Sequence, residues 1–222
     1  MKPTVVFDLD GTLADTSGDL IEAANACFRG MGAGSVLDAN SDAGTALRGG
    51  RAMLRLGLTR IGRADDEDEV ARQYPVLLNH YEQAIDQHTF LYPGTMEAIA
   101  RLKARGIAVS ICTNKPEALA RLLMTRLGVL DQFDALVGAD TLPTSKPDPA
   151  PYIASVERAG GHVRHSLLVG DSETDRLTAH AAGVPSVLVT FWPGQPDIET
   201  LKPDATLDHF DELDDVVTRL LL

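Results

Sequence analysis

Residues 4–12 read TVVFDLDGT and give the strongest local indication of the fold. Its first four residues are apolar or β-branched, which predicts a short buried strand, and the glycine after two aspartates predicts a loop. Asp8 and Asp10 are therefore expected at the C-terminal end of a strand. Ligands of open α/β sheets bind at that edge, so we expect a functional site there. Taken alone, the two aspartates would also fit a turn without chemistry.

The rest of the chain predicts the other strands of the same sheet. From residue 92 onward, short apolar segments alternate with helical patterns, several of which open with proline and close with glycine. This alternation indicates a doubly wound parallel α/β sheet with helices on both faces. The predicted strands are 107–112, 135–137, 166–169 and 186–191, and the predicted helices include 149–159 and 173–182.

Residues 16–90 interrupt this alternation. They contain helical patterns, such as 20–31 and 70–85, but no convincing strand. The acidic run at 65–69 lacks the ligand spacing of a calcium loop and predicts a solvated helix start. We therefore expect residues 1–15 and 91–222 to form an α/β core domain and residues 16–90 to form an inserted, all-helical domain.

Composition restricts the partners. The chain of 222 residues has 20 Lys and Arg against 32 Asp and Glu, a formal net charge of −12. Nucleic acids and anionic membranes attract clustered basic residues, so we expect neither as a partner. No apolar run reaches the roughly 20 residues that cross a bilayer, and the first residues do not resemble a signal peptide. These features favour a cytoplasmic location, with Cys27 and Cys112 reduced and buried.

Two loops after predicted strands carry groups suited to phosphate. Thr113 and Asn114 follow strand 107–112 and offer a hydroxyl and backbone N–H groups, although such a loop is often only a helix cap. Lys146 lies in the stiff loop SKPDP, just ahead of a helix, although an isolated lysine is usually solvated. Each signal is weak alone and gains weight from the others.

A last loop supplies further carboxylates. Asp171 and Asp175 lie in GDSETD after strand 166–169, where their oxygens suit Mg²⁺, although aspartate and serine there also cap helices. Four such coincidences at one sheet edge favour a functional site over four unrelated turns and caps.

In this order, the motifs resemble those of a known group of enzymes. DxDGT, a threonine after the next strand, a Lys-Pro loop and GDxxxD look like the four motifs of the haloacid dehalogenase superfamily of phosphotransferases. The resemblance covers the whole chain, implies a Rossmann-like core and makes the helical insertion a cap domain of subclass I. A narrower resemblance to phosphoglycolate phosphatases rests on TNKP, SKPDP, LVGDSETD and AAGVP at 113–116, 145–149, 168–175 and 181–185.

The resemblance implies catalytic roles. Asp8 would attack phosphorus and form an aspartyl-phosphate, and Asp10 would protonate the leaving oxygen and then activate water. Lys146 would neutralise phosphoryl oxygens and the nucleophile, while Thr113 and the Asn114 N–H would complete the phosphate site.

The resemblance also implies a metal and a substrate. Mg²⁺ would be held by Asp8, the backbone carbonyl of Asp10, and Asp171, with Asp175 acting through water or by orienting the other ligands. The expected reaction is hydrolysis of a small phosphate monoester, 2-phosphoglycolate above all. Its carboxylate calls for cations in the cap, for which Arg48 and Arg51 in LRGGR are candidates, unless both are simply solvated.

Several alternatives stay open. A dehalogenase is disfavoured because Asp10 is present, and a phosphonoacetaldehyde hydrolase because residues 16–90 contain no lysine. A sugar-phosphate phosphatase, a pyrophosphatase or a β-phosphoglucomutase-like enzyme would use the same motifs, and LRGGR loosely resembles the mutase cap loop. A catalytically silent scaffold is disfavoured because every motif acid is present. The sequence leaves open a monomer or a homodimer.

Overall fold

The computed structural model describes residues 2–192 and 198–221. The strands in these residues are β1 (Lys2–Phe7), β2 (Ala14–Asp15), β3 (Phe90–Leu91), β4 (Ala108–Cys112), β5 (Ala135–Val137), β6 (Gly161–Gly170), β7 (Ser186–Val189) and β8 (Ala205–Leu207). Six of these described strands form a parallel sheet in the order β5-β4-β1-β6-β7-β8. Strand β1, which precedes Asp8 and Asp10, is therefore central, and the predicted doubly wound α/β fold is confirmed.

The helices of the described chain are α1 (Ser17–Gly30), α2 (Ala43–Ala46), α3 (Gly50–Arg60), α4 (Glu67–Gln83), α5 (Thr95–Ala104), α6 (Glu117–Arg126), α7 (Ala150–Arg158), α8 (Glu173–Ala182) and α9 (Leu213–Leu221). Helices α7 and α8 pack together on the sheet, and α5 and α9 form a second packed pair. A buried cluster joins the sheet to α7 and α8 through Val6, Cys112, Tyr152, Val156, Leu168, Ala179 and Val184. None of the helices in residues 2–192 and 198–221 is long and apolar enough to cross a bilayer.

Local signals locate most elements of the core. The predicted strand 135–137 and helix 173–182 coincide with β5 and α8, whereas β7 ends two residues before its predicted end at 191. Strand β6 begins earlier than predicted because its first residues are mostly exposed and so show no continuous apolar pattern. The edge strand β8 is absent from the sequence prediction, since three residues are too few to establish a period.

The chain divides into two compact units, Met1–Ala14 with Leu91–Leu222 and Asp15–Phe90. The second unit contains α1 to α4, with α1 packed against α3 and α4.

The acidic run at 65–69 does begin a helix of this second unit. The Asp66 side chain accepts a hydrogen bond from the Glu69 N–H group and caps α4. The prediction of a solvated helix start is wrong for Glu69, whose side chain is buried. Hydrogen bonds from Arg72, Gln73 and Arg63 lower the pKa of this carboxyl from 4.5 to about 2.

Both cysteines are free and buried, as the sequence predicts. Burial raises the pKa of Cys27 to about 11 and that of Cys112 to about 12. The thiols therefore stay protonated near neutral pH and are poor nucleophiles.

The packing of α1 on α3 gives a stability prediction. A Cβ atom added at Gly57 would lie 2.1 Å from Cζ of the buried Phe28, so Gly57→Ala should lower the free energy of unfolding by about 1–3 kcal/mol. A Cβ at Gly30, on α1, meets nothing within 4 Å. Gly30→Ala is therefore the control, neutral or stabilising by up to about 1 kcal/mol. Urea unfolding of both variants makes the comparison, and equal midpoints would contradict it.

Candidate active site

Adjacent strands bring the predicted motifs to one edge of the sheet. In the register of β1, Phe7 lies opposite Ile111 of β4 and Val169 of β6. The Asp8 N–H group then donates to the carbonyl of Val169 at 2.9 Å, which continues the pairing for one residue beyond the strand. The residues that follow each of these strands consequently emerge at the same level of the sheet.

Lys146 is the buried cation of this edge. Its Nζ lies 3.0 Å from Oδ1 of Asp8 and 2.6 Å from Oδ1 of Asp175, and only 1% of its side chain is exposed. Burial alone would lower the pKa of the ammonium, but the carboxylates of Asp175 and Asp8 more than offset this, and the pKa is raised. The lysine is therefore charged and paired, and the alternative of a solvated lysine is wrong.

Asp175 is fixed by the start of helix α8. Its Oδ2 accepts hydrogen bonds from the Ser172 hydroxyl at 2.6 Å and from the Ser172 N–H group at 3.2 Å, while the Ser172 hydroxyl caps the helix. A Cβ atom at Gly170 would lie 2.3 Å from Cγ of Asp175. Glycine is required there because the carboxylate packs directly on its backbone. The capping alternative thus describes Ser172 correctly, yet the cap itself orients a site carboxylate.

Asp171 has a different environment. Its side chain is buried and accepts a hydrogen bond from the Thr12 hydroxyl at 3.3 Å. Burial, followed by the nearby charges of Asp175 and Asp8, raises the pKa of Asp171 well above its usual value. The pKa of Asp8 rises to about 6, mainly through burial, although Lys146 opposes the shift. These carboxyls would be ionised more easily beside an additional cation.

Three carboxylates form a group suited to a metal ion. One oxygen from each of Asp8, Asp171 and Asp175 lies within 4.8 Å of the others, the one such cluster of His, Cys, Asp or Glu found in the described residues. With Asp10, four acids share the edge with the ammonium groups of Lys146 and Lys115, so full ionisation leaves about two negative charges. Hard oxygen donors, excess negative charge and raised carboxyl pKa values fit a divalent cation such as Mg²⁺.

The carboxylate of Asp10 lies outside that group and pairs with Lys115, a residue whose side chain has no predicted role. Its Oδ1 is 2.8 Å from Nζ of Lys115, whose side chain is only 4% exposed. The available signal was the position of Lys115, two residues after Thr113 in a chain that has five lysines. That position does not reveal which acid the lysine contacts.

The loop after β4 links two parts of the edge. The Thr113 hydroxyl accepts a hydrogen bond from the Lys115 N–H group at 3.1 Å, and Nδ2 of Asn114 donates to the carbonyl of Lys146 at 3.0 Å. The residue at the N-cap of α6 is Pro116, so neither Thr113 nor Asn114 occupies that position. The helix-cap alternative is therefore wrong here.

Arg48 and Arg51 lie in the other compact unit. Nη2 of Arg48 donates to the Thr45 hydroxyl at 3.0 Å, and the Arg51 guanidinium lies 4.1 Å from the centre of the Tyr74 ring. Both contacts lie within that unit, and Arg51 is also close enough to Glu67 to help lower the pKa of its carboxyl, after the larger effect of Arg55. The carboxylates and lysines of the sheet edge all belong to the first unit.

Known proteins share this architecture. The haloacid dehalogenase-like hydrolase family matches residues 5–189. A phosphoglycolate phosphatase of Mesorhizobium japonicum is 40% identical over 215 residues, which cover 96% of this chain and 93% of that protein. One from Cereibacter sphaeroides is 36% identical over 219 residues, or 99% of each. A structure described as a predicted phosphoglycolate phosphatase from Haemophilus somnus has a TM-score of 0.84 at 26% identity and covers 97% of both chains.

The chain therefore belongs to the haloacid dehalogenase-like hydrolase family, and it is a phosphoric monoester hydrolase. Enzymes of this kind generally use a divalent metal. The three-carboxylate group at the sheet edge is consistent with that requirement.

The carboxylate group predicts how a metal affects stability. Because the pKa of Asp171 is raised in the fold, the metal-free protein loses stability as the pH rises above the ordinary aspartate value. Asp171→Asn removes this loss, so its metal-free melting temperature at pH 7 should equal or exceed that of the wild type. Mg²⁺ at 100 times its dissociation constant should stabilise the wild type by about 2.7 kcal/mol and the variant far less.

The control is Glu173→Gln, which removes a negative charge from an exposed residue of the same helix start. Differential scanning calorimetry with and without Mg²⁺ should show the full metal shift in this control. An equal shift in Asp171→Asn would exclude Asp171 as a ligand.

Proposed function

We propose that this enzyme hydrolyses a small phosphate monoester through a covalent phosphoryl group on Asp8, with Mg²⁺ as cofactor. The observation that carries the proposal is the buried Lys146 ammonium between Asp8 and Asp175, beside the three-carboxylate group. Such a site offers an oriented carboxylate nucleophile and positive charge for a phosphoryl group. Neither feature is needed for a simple turn or helix cap.

The first chemical step is attack by Asp8 on phosphorus. Its Oδ1 is held by the Leu9 N–H group at 2.7 Å and by Lys146 at 3.0 Å, which fixes the direction of the carboxylate. A bond forms between a carboxylate oxygen and phosphorus while the bond between phosphorus and the ester oxygen breaks. Asp10 takes up a proton when the substrate binds and gives it to the leaving oxygen, and an alcohol departs.

The second step returns the enzyme to its starting state. Asp10, now a carboxylate, takes a proton from water as the water oxygen attacks phosphorus. The bond between phosphorus and Asp8 breaks, inorganic phosphate is released, and Asp10 gives up the proton, which restores its ion pair with Lys115. The net change is one ester and one water converted to one alcohol and one phosphate.

Charge controls both steps, because a carboxylate must approach a phosphate dianion. Lys146 neutralises part of that charge, and Thr113 with the Asn114 N–H group would hold the phosphoryl oxygens. When bound, Mg²⁺ would supply the remaining positive charge, held by the carboxylates of Asp8 and Asp171 and the backbone carbonyl of Asp10, with Asp175 acting through water or by orienting the other ligands. This assignment balances the roughly two excess negative charges of the four acids and two lysines.

For the substrate we propose 2-phosphoglycolate, with Arg48 and Arg51 of the helical cap binding its carboxylate. The proposal is supported by relatives named phosphoglycolate phosphatase that align over nearly the whole chain. The net charge of −12 disfavours nucleic acid and anionic membrane surfaces as partners, and we propose a cytoplasmic setting for the reaction.

A substrate panel and a nucleophile variant test the reaction. Mg²⁺-dependent phosphate release should be fastest, in kcat/KM, with 2-phosphoglycolate among sugar phosphates, pyrophosphate and nucleotides. Asp8→Asn should lower kcat by about 10⁴-fold or more, and acid-quenched wild type should carry one phosphoryl group by mass spectrometry. Asp131→Asn, at an exposed position of the short 3₁₀-helix Leu130–Gln132, is the control. Faster turnover of another ester would show that 2-phosphoglycolate is not the preferred substrate. No turnover of any ester would refute the proposed reaction.

The role of the cap arginines is tested by discrimination between substrates. Arg48→Ala and Arg51→Ala should each lower kcat/KM for 2-phosphoglycolate relative to a neutral alkyl phosphate by about 10 to 100-fold, the effect of losing a charged hydrogen bond. Arg55→Ala is the matched control. Arg55 lies on α3, as Arg51 does, and it pairs with Glu67 of α4. An unchanged ratio in both variants would reject this role.

A further inference from the structure

Lys115 is a buried cation that the proposed reaction does not yet use. Its side chain is 4% exposed, and its Nζ lies 2.8 Å from Oδ1 of Asp10. Burying an ammonium group is costly unless a counter-charge and hydrogen bonds compensate. The pair with Asp10 supplies that compensation, so the contact constrains both side chains.

The backbone of Lys115 is fixed on both sides. Its N–H group donates to the Thr113 hydroxyl at 3.1 Å, and its carbonyl accepts a hydrogen bond from the Ala139 N–H group at 2.9 Å. Pro116 follows immediately and stands at the N-cap of α6. The side chain therefore starts from a defined point on the loop and ends at Asp10.

The two buried lysines divide the acids between them. Lys146 lies between Asp8 and Asp175, whereas Lys115 contacts Asp10. In the proposed function, Asp8 forms the bond to phosphorus and Asp10 moves the proton. Lys146 thus contacts the proposed nucleophile, and Lys115 contacts the proposed general acid and base.

We propose that Lys115 is a positioning residue that orients the Asp10 carboxylate for proton transfer. This inference rests on the proposed function, because it assigns Lys115 a role only through Asp10. A one-ångström displacement of a catalytic group can slow a reaction by about 100-fold, so losing the ion pair should slow the steps in which Asp10 moves a proton. Phosphate binding should change little, and so should attack by Asp8 on an ester whose leaving group needs no proton.

The choice of leaving group separates these steps. An alkyl oxygen needs a proton as it departs, so formation of the phosphoryl-enzyme from an alkyl phosphate depends on Asp10. A p-nitrophenolate ion leaves without a proton. Hydrolysis of the phosphoryl-enzyme needs Asp10 as base whichever substrate was used.

The first experiment compares wild type, Lys115→Met and the control Lys103→Met in the presence of Mg²⁺. Lys103 is a partly exposed lysine of the same unit. Its Nζ donates a hydrogen bond to the carbonyl of Gln132. With the alkyl phosphate that the wild type hydrolyses fastest, Lys115→Met should lower kcat by about 10 to 100-fold. KM and the inhibition constant for inorganic phosphate should change by less than about 3-fold, because a loss of proton transfer leaves phosphate binding intact. With p-nitrophenyl phosphate, it should show a burst of one p-nitrophenolate per enzyme followed by slow turnover.

A double-mutant cycle tests whether Lys115 acts through Asp10. Asp10→Asn should be slow, and adding Lys115→Met should slow it no further, because the group that Lys115 positions is already inactive. The double variant removes both partners of the buried pair and so leaves neither charge without its counterpart. Its kinetics can therefore be measured even if Lys115→Met alone is unstable. Thermal unfolding of every variant is measured beside the kinetics.

The outcomes distinguish this inference from the proposed function. Equal slowing of both substrates without a burst, weaker inhibition by phosphate, or additive losses in the double variant would make Lys115 a phosphate ligand or an independent group and overturn the positioning role. A wild type without ester hydrolysis, or a fully active Asp10→Asn, would overturn the proposed function and this inference with it.

Discussion

The Lys146 ammonium between Asp8 and Asp175 is the interaction on which the rest of the site depends. A buried ion pair is tolerated only when its geometry is good and its partners are fully hydrogen-bonded, since removing one partner leaves an uncompensated charge. The surrounding sequence meets both conditions: Ser172 holds the far oxygen of Asp175, and Gly170 leaves the space in which that carboxylate packs. Asp8 is in turn held by the Leu9 N–H group.

The same arrangement explains how an acidic protein can act on an anionic substrate. Overall the chain carries a formal charge of −12, which would repel a phosphate dianion, so the positive charge must be local and water must be limited. Both lysines at the sheet edge are nearly inaccessible to solvent, and electrostatic attraction is stronger where the effective dielectric is low. The raised pKa values of Asp8 and Asp171 reflect the same low-dielectric surroundings and indicate that these acids lack sufficient positive charge without a cation.

Much of the fold is determined locally. The apolar run of β1, the proline and glycine at helix ends, and the alternation of strands and helices were sufficient to predict the sheet and the helical insertion, and helix α8 begins and ends where predicted. Elements with weak local signals were missed or shortened, namely the three-residue edge strand β8 and the exposed first half of β6. In the helical insertion, Glu69 lies in an acidic run that is typical of a solvated helix start. Its side chain is nevertheless buried and accepts hydrogen bonds from three side chains of its own unit.

The motifs alone were enough to predict the family and the chemical groups of the site. Four motifs occur in a fixed order at the ends of predicted strands, and parallel strands bring their C-terminal ends to one edge. The charged pairs, by contrast, follow from the three-dimensional fold: Lys146 pairs with Asp8 and Asp175, and Lys115 pairs with Asp10. The physical reason is that sequence spacing fixes which strand end carries a side chain. The partner of a buried charge depends instead on distances of a few ångströms between segments far apart in the chain, and on the exclusion of water around them.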